Sequence, residues 1–182
     1  MNPTTNEHAI PGYVTGLWHV DPDRSKIEFA NRLLGGKVRG KFTSYDVTIT
    51  TTAAPPESFV TATIDLASVD TGKGRRDKHL RGADVLRAEE HPTMTYRSTG
   101  LRRSQDGWVV DGDLTLHGET RSVPLAITTN RFAEDVTGDR RATLSATAQI
   151  SRRDFGVKIP MSGGMISDKV TINLEIEAVR QT

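Results

Sequence analysis

The amino-acid sequence predicts an all-β protein: an eight-stranded antiparallel up-and-down barrel with a short helical segment near residues 75–90. Three observations support this prediction. Apolar and polar residues alternate with a period of two in one segment after another from Trp18 onward. Glycine, proline and Asp-Gly turn signals separate these segments, and no long helical pattern competes with them. Closure into a barrel would remove the edge strands of such a sheet.

In chain order, residues 1–16 are polar and contain several prolines and glycines, so we expect a flexible tail before a barrel domain over 17–182. The predicted strands are 26–34, 37–51, 59–66, 93–101, 108–117, 122–129, 142–150 and 170–178. The alternation is weaker in 26–34, 37–51 and 93–101, and the other five strands have one apolar face and one polar face. Only 73–90 interrupts this rhythm, where apolar residues such as Leu80 could anchor a short helix.

Composition excludes several classes of protein. The 182 residues carry a net charge of +1 and no cysteine, which argues against general attraction to nucleic acid and excludes disulfides and thiolate metal sites. No segment reaches the ~20 apolar residues of a membrane-spanning helix. The N-terminus lacks the basic and apolar regions of a signal peptide, so we expect a cytoplasmic protein.

Motifs for catalysis, metal or cofactor binding are absent. The five histidines lack the spacing of a zinc motif, no serine lies in a GxSxG elbow, and Gly72-Lys73-Gly74 lacks the phosphate-loop pattern. We therefore expect no metal and no cofactor. The charged cluster TGKGRRDKHL at 71–80 leaves three interpretations open: a nucleic-acid patch, a solvated corner, or a structural lock in which an arginine pairs with Asp77.

The order of the motifs resembles the YceI family of polyisoprenoid-binding, lipocalin-like proteins. The matching segments are WHVDPDRSKIEF, KVRGKF, TATIDLASVDTGKGRRDKHLRGADVL, HPTMTYRSTGL, DGDLTLHGETRSVPL, ISRRDFG and GGMISDKVTINLEIEAV. They cover about residues 18–179. The resemblance implies a barrel whose apolar tunnel holds a long isoprenoid chain, such as a polyprenyl phosphate or a prenyl-quinone-like lipid, and it implies that homodimers form in some members.

From this resemblance and the alternation we expect two groups of ligand-binding residues. The expected apolar lining is Phe29, Phe42, Ile64, Leu66, Met94, Tyr96, Leu114, Leu116, Leu144 and Ile150. The expected mouth is Arg76, Asp77, His79 and His91. Ordinary core packing is the alternative for each apolar residue, and we interpret Arg153, Asp154 and Phe155 as a lock at one barrel end.

Two positions depart from the family pattern. Arg24 and Leu33 stand where the family usually has histidine, which leaves recognition of the lipid head group open. The expected function is non-catalytic binding, transport or storage of the lipid. The alternatives are an enzyme acting on a prenylated or small apolar substrate in the same cavity, and a stress-response protein with no interior ligand.

Overall fold

The structure, a computed structural model, describes residues 10–160 and 164–182, with the backbone alone for Thr129. Within these residues it contains twelve strands, one α-helix and three short 3-10 turns. The strands are β1 Gly16–Val20, β2 Lys26–Leu33, β3 Gly36–Phe42, β4 Tyr45–Thr51, β5 Phe59–Asp65, β6 Val69–Asp70, β7 Thr93–Ser104, β8 Gly107–Leu116, β9 Glu119–Ser122, β10 Leu125–Glu134, β11 Arg140–Ser151 and β12 Ile166–Arg180. The helix is α1 Gly74–Arg81, and the 3-10 turns are Pro55–Glu57, Leu66–Ser68 and Arg152–Phe155.

Eight of these strands form the closed antiparallel barrel that the sequence predicts. The ring runs β1, β4, β5, β7, β8, β10, β11 and β12 among the described residues, and β12 pairs with β1 to close it. The closing register places Trp18 opposite Arg180 and Val20 opposite Ala178. Of the four remaining strands, β9 pairs with β8, while β2, β3 and β6 extend one end of the barrel, since β2 pairs with the first half of β12.

The predicted strand 37–51 is in fact two strands. Thr43 and Ser44 separate β3 from β4, and the Thr43 N–H donates to the backbone oxygen and to the hydroxyl of Ser68. These bonds turn the chain, so that β4 joins the ring while β3 leaves it to pair with β2 and β6. The prediction of one continuous strand was wrong because a residue 25 positions away determines the break.

Two other boundaries differ from the prediction. The short strand β1 was not predicted, because five residues give too little alternation to recognise. The predicted strand 122–129 is interrupted at Pro124, which has no N–H to donate, and β10 then continues to Glu134. Ahead of β1, the Tyr13 hydroxyl donates to the Thr52 oxygen at 2.8 Å. Of the predicted tail at 1–16, residues 1–9 lie outside the described residues.

The helix is shorter than the segment predicted at 75–90. α1 ends at Arg81, where the N–H of the following Gly82 donates to the His79 oxygen, and the next turns place Arg87 at a φ of 52°. These turns carry Val85 into the core, where it is almost fully buried. The segment after α1 therefore closes one end of the barrel with apolar side chains.

Packing at the barrel seam depends on one tryptophan. Trp18 is fully buried against Ala142 and Ala178, whose small side chains make room for the indole ring. Its Nε1–H donates to the Thr51 hydroxyl at 2.8 Å. The seam is thus solid, while the larger core cluster lines the barrel interior. Among the described helices, none has the length and apolar character needed to cross a bilayer.

Candidate ligand-binding site

One cavity, here called the Tyr96 cavity, occupies the half of the barrel nearer to β1. Its volume is about 180 Å³. It is lined by Ile27, Val47, Ile49, Ser58, Phe59, Val60, Ala62, Ile64, Met94, Tyr96, Ser98, Leu101, Val110, Leu114, Val123, Leu125, Ile127, Leu144, Ala146, Ile172, Leu174 and Ile176. The alternation of each strand turns these side chains inward, so the wall is almost entirely hydrocarbon.

The three residues with polar side chains in this wall are already hydrogen-bonded within the protein. The Tyr96 hydroxyl donates to the Val123 oxygen at 2.9 Å, Ser98 Oγ accepts from the Val60 N–H at 2.8 Å, and Ser58 Oγ accepts from the Thr52 N–H at 3.1 Å. Burial, the largest cause, raises the pKa of Tyr96 far above its ordinary value. The Tyr96 cavity therefore favours apolar groups over polar ones.

Glycine makes room for the Tyr96 ring. A Cβ atom at Gly112 would lie 2.4 Å from the Tyr96 Cζ and hydroxyl atoms, closer than any real contact. The end of the Tyr96 ring therefore occupies the space next to Gly112 of β8 that any larger residue would need. The same relationship recurs between Gly40 of β3 and Phe29, where a Cβ would lie 2.4 Å from the ring.

A second cavity, here called the helix-side cavity, lies between the barrel and α1. Its volume is about 290 Å³. It is lined by Ile27, Glu28, Phe29, Asn31, Arg32, Leu33, Val38, Phe42, Leu66, Val69, Arg76, His79, Leu80, Val85, Leu86, Met94, Leu116, Ile150, Arg152, Val157, Ile159, Ile166, Val170 and Ile172. This wall combines an apolar majority with several cationic side chains.

The two cavities share a boundary. Ile27, Met94 and Ile172 belong to both linings, so the cavities follow one another along the inside of the barrel. On β12 the lining extends from Ile166 to Ile176, which at ~3.3 Å per residue is roughly 30 Å of strand. The interior is therefore elongated, with an apolar end and a more polar end.

The cationic end owes its geometry to the turn before α1. Arg76 donates from Nε to the Thr71 hydroxyl at 2.7 Å and from its terminal nitrogen to the Thr71 oxygen at 2.9 Å. Asp77 is buried and accepts from the Thr71 N–H at 2.9 Å and from the Thr71 hydroxyl. The hydrogen bond from the Thr71 hydroxyl is the main reason why the pKa of Asp77 lies below its ordinary value. Asp77 therefore positions Thr71, and Thr71 positions Arg76.

Arg152 is the second fixed cation of this end. It is 6% exposed and donates to the backbone oxygens of Val157, Ser167 and Ile166 at 3.1 to 3.3 Å. The lock predicted for this segment is therefore formed by Arg152 together with the buried Phe155. Arg153 and Asp154, the other members of the prediction, are exposed.

The helix-side cavity contains a buried polar atom that has no partner among the described residues. Asn31 Oδ1 is buried and accepts no hydrogen bond from any described residue. A buried oxygen without a donor is costly, by about 1–3 kcal/mol. A hydroxyl or amide group of a bound molecule could satisfy it.

Twelve of the fourteen predicted site residues line the cavities. The Tyr96 cavity contains Ile64, Met94, Tyr96, Leu114 and Leu144, and the helix-side cavity contains Phe29, Phe42, Leu66, Arg76, His79, Leu116 and Ile150 together with Met94. Asp77 and His91 lie in neither lining. Asp77 turns towards Thr71, and the centroid of the His91 ring lies 5.3 Å from that of His117.

Several lining residues were not predicted. Ile172, Leu174 and Ile176 lie on the recognised apolar face of β12, so the alternation could have identified them. Asn31 and Arg152 carry no periodic signal. Of the two departures from the family pattern, Leu33 lines the helix-side cavity, whereas Arg24 lies outside both cavities and donates to Glu177 at 3.2 Å.

Comparisons with known proteins identify relatives of this chain. Protein YceI of Escherichia coli is 36% identical over 143 residues, 78% of this chain and 74% of the relative. A UPF0312 protein of Pseudomonas aeruginosa is 34% identical over 157 residues, 85% of this chain and 81% of the relative.

Solved structures share the fold. The crystal structure of BcnA from Burkholderia cenocepacia has a TM-score of 0.73 at 24% identity, covering 87% of this chain and 98% of that one. A polyisoprenoid binding domain from Saccharophagus degradans, implicated in plant cell wall breakdown, has a TM-score of 0.65 at 16% identity, covering 92% and 100%. The YceI-like domain family model matches residues 18–178, so the chain belongs to that family.

Proposed function

We propose that this protein binds a long-chain isoprenoid lipid inside the barrel, without catalysis, and thereby transports or stores it. One observation carries the proposal: the two cavities form an elongated interior with a hydrocarbon wall at one end and fixed cations at the other. An isoprenoid chain fits the apolar end, since each buried methylene contributes about 0.8 kcal/mol. The polyisoprenoid binding domain of Saccharophagus degradans, which shares this fold, supports the same assignment.

The polar end indicates how the lipid would be oriented. Arg76 is held in place by Thr71 and faces the helix-side cavity beside His79, so an anionic head group would find a preorganised donor there. We therefore favour a polyprenyl phosphate over a prenyl quinone. The Asn31 oxygen could accept from a hydroxyl of a protonated phosphate.

Catalysis has less support. An enzyme would need ionisable groups that face the cavity within hydrogen-bond reach of one another. In the described part of the chain, the ionisable groups of the helix-side cavity make no hydrogen bond or ion pair with one another; Arg76 and Arg152 are bound to Thr71 and to backbone oxygens. The cavities likewise argue against a stress-response protein with a filled interior.

The first test reduces the volume of the Tyr96 cavity. Ala146→Leu places a larger side chain into that cavity, and the matched control Ala126→Leu adds the same atoms on the exposed side of β10. Native mass spectrometry with undecaprenyl phosphate should show binding by the wild type and by Ala126→Leu. Ala146→Leu should bind at least tenfold more weakly. A wild-type protein that neither retains nor binds this lipid would refute the proposal.

The second test concerns the head group. Arg76→Gln removes the cation facing the helix-side cavity, and Arg75→Gln removes an exposed cation one residue away. We expect Arg76→Gln to weaken binding of a polyprenyl phosphate about tenfold or more and to leave a prenyl quinone of equal chain length unaffected. Equal losses for both lipids would show that Arg76 acts on the fold and not on the head group.

A further inference from the structure

Three apolar side chains protrude at the open edge of the helix-side cavity, and we call them the apolar tip. They are Leu33, Leu34 and Met165, which are 39%, 78% and 48% exposed. The Leu34 N–H donates to the Met165 oxygen at 2.9 Å, so the β2–β3 turn and the start of β12 present these side chains together. Leu33 also lines the cavity, so the tip adjoins its opening.

The turn does not require leucine. Gly35 has a φ of +83°, a conformation that favours glycine, but Leu34 beside it has no comparable constraint and buries little of its surface. A polar residue would satisfy the turn equally well. Leu33, Leu34 and Met165 together form an exposed aliphatic patch, and such patches are typical of surfaces that contact something outside the chain.

Next to the apolar tip lies a cationic strip of four exposed residues, Arg32, Lys37, Arg39 and Lys41. Arg32 and Lys37 are directly opposite one another in the β2–β3 pair, where like charges are destabilising. In the described part of the chain none of the four takes part in an ion pair. The nearby carboxylates Glu28 and Asp70 lie towards the Lys41 end, away from the tip.

We propose that the apolar tip and the cationic strip form a docking surface for a lipid bilayer with anionic head groups. The tip would insert its aliphatic side chains between the head groups, while the positive charges of the strip would attract the anionic surface. Neither signal is strong alone, which suits reversible contact. Docking would bring the opening of the helix-side cavity against the bilayer.

Charge selects this occupant over a second copy of the chain. A two-fold interface through the tip would bring two cationic strips together, and like charges facing each other oppose association. The unpaired stretch of β3 carries Lys37 and Arg39, which also discourage pairing with another strand. An anionic bilayer complements both features.

Vesicle flotation with the full chain tests the inference. The probes are phosphatidylcholine vesicles with and without phosphatidylglycerol, neither containing an isoprenoid. The wild type should bind the anionic vesicles and release them in high salt. Leu34→Ser should weaken vesicle binding about tenfold. The double variant Arg32→Gln/Lys37→Gln should weaken it about 30-fold, which corresponds to about 1 kcal/mol for each of the two charges removed.

Val136→Ser is the matched control, because Val136 is fully exposed in a hairpin at the opposite end of the barrel. It should bind as the wild type does. The inference is overturned if the wild type ignores anionic vesicles, if Leu34→Ser binds them equally well, or if Leu34 instead mediates self-association in sedimentation velocity. This surface goes beyond the proposed function, and a chain that docks but binds no isoprenoid would separate the two.

Discussion

The imidazole rings of His91 and His117 lie 5.3 Å apart between centroids, with their planes inclined by 52°. His117 has a φ of 57°, and its Nε2 is buried without a partner among the described residues. Glycine allows this proximity, since a Cβ at Gly118 would lie 3.2 Å from the His91 ring. The pair joins the β8–β9 turn to the segment after α1. That segment, through Val85 and Leu86, forms part of the wall of the helix-side cavity.

This pair should make stability depend on pH. The pKa of His117 is lowered, first by burial and then by His91 and Arg87, while Glu90 and the Phe155 backbone oppose the shift. The unfolded chain, with a histidine pKa of about 6.5, therefore binds more protons than the folded one just below that pH. We expect the free energy of unfolding to fall as the pH drops from about 7 to about 5.

His117→Asn measures this contribution, because asparagine tolerates a positive φ. Urea unfolding at the two pH values should show a smaller loss for the variant than for the wild type. Arg87→Asn should also reduce the loss, since it removes one cause of the lowered pKa. If both variants lost as much unfolding free energy between these two pH values as the wild type does, His117 would not be the source of the pH dependence.

The barrel seam provides a second prediction. Trp18→Ala should reduce the free energy of unfolding by about 3–5 kcal/mol, the cost of emptying a fully buried aromatic site. Trp18→Phe should cost less, about 2 kcal/mol, because it retains most of the ring and loses the bond to Thr51. Leu17→Ala, at the exposed neighbouring position, is the control. Measured by chemical denaturation, its free energy of unfolding should differ from that of the wild type by less than about 1 kcal/mol.

Arg152 provides the third prediction. Arg152→Met would leave one buried and two half-buried backbone oxygens without the guanidinium donor, and we expect a loss of about 3 kcal/mol in the free energy of unfolding. Arg153→Met removes an adjacent arginine whose side chain is 66% exposed, so it should cost no more than about 0.5 kcal/mol. If Arg152→Met and Arg153→Met lost equal free energies of unfolding in thermal or urea experiments, burial of Arg152 would not be the cause of its contribution.

The sequence predicts the barrel because alternation is local. Ile64, Leu114 and Leu144 face the interior, as the alternation in their strands predicts. In each strand an apolar residue also lies two positions away, so it predicts the same inward face. The break between β3 and β4 has no local signal, since Ser68 causes it from outside the strand. Contacts between distant segments decide such breaks, and a periodic pattern contains no information about them.

The candidate site divides in the same way. Alternation and family resemblance placed the apolar lining residues in the cavities, whereas among the polar residues predicted for the mouth only Arg76 and His79 line a cavity. In SRRDFG, Arg152 and Arg153 are chemically identical, and only the 3-10 turn decides that the first is buried. Asp77 was expected at a cavity mouth because of its charge, yet the turn before α1 directs it to Thr71.

That last contact supports a prediction about both stability and binding. Thr71→Val removes the hydroxyl that donates to Asp77 and accepts from Arg76. The pKa of Asp77 should rise towards its ordinary value, because this hydroxyl is the largest cause of the lowering. Carbon-13 NMR titration of the Asp77 carboxyl measures that shift directly.

The sign of the stability effect follows from the same pKa. A lowered carboxyl pKa stabilises the fold above about pH 4 and loses this contribution as the pH falls through the folded value. Thr71→Val should therefore lower the urea midpoint at neutral pH, and the difference from wild type should shrink in acid. Thr120→Val, which removes a hydroxyl from an exposed pair, should show no such convergence. If Thr71 also positions Arg76, the variant should bind polyprenyl phosphate more weakly while its affinity for a prenyl quinone stays the same.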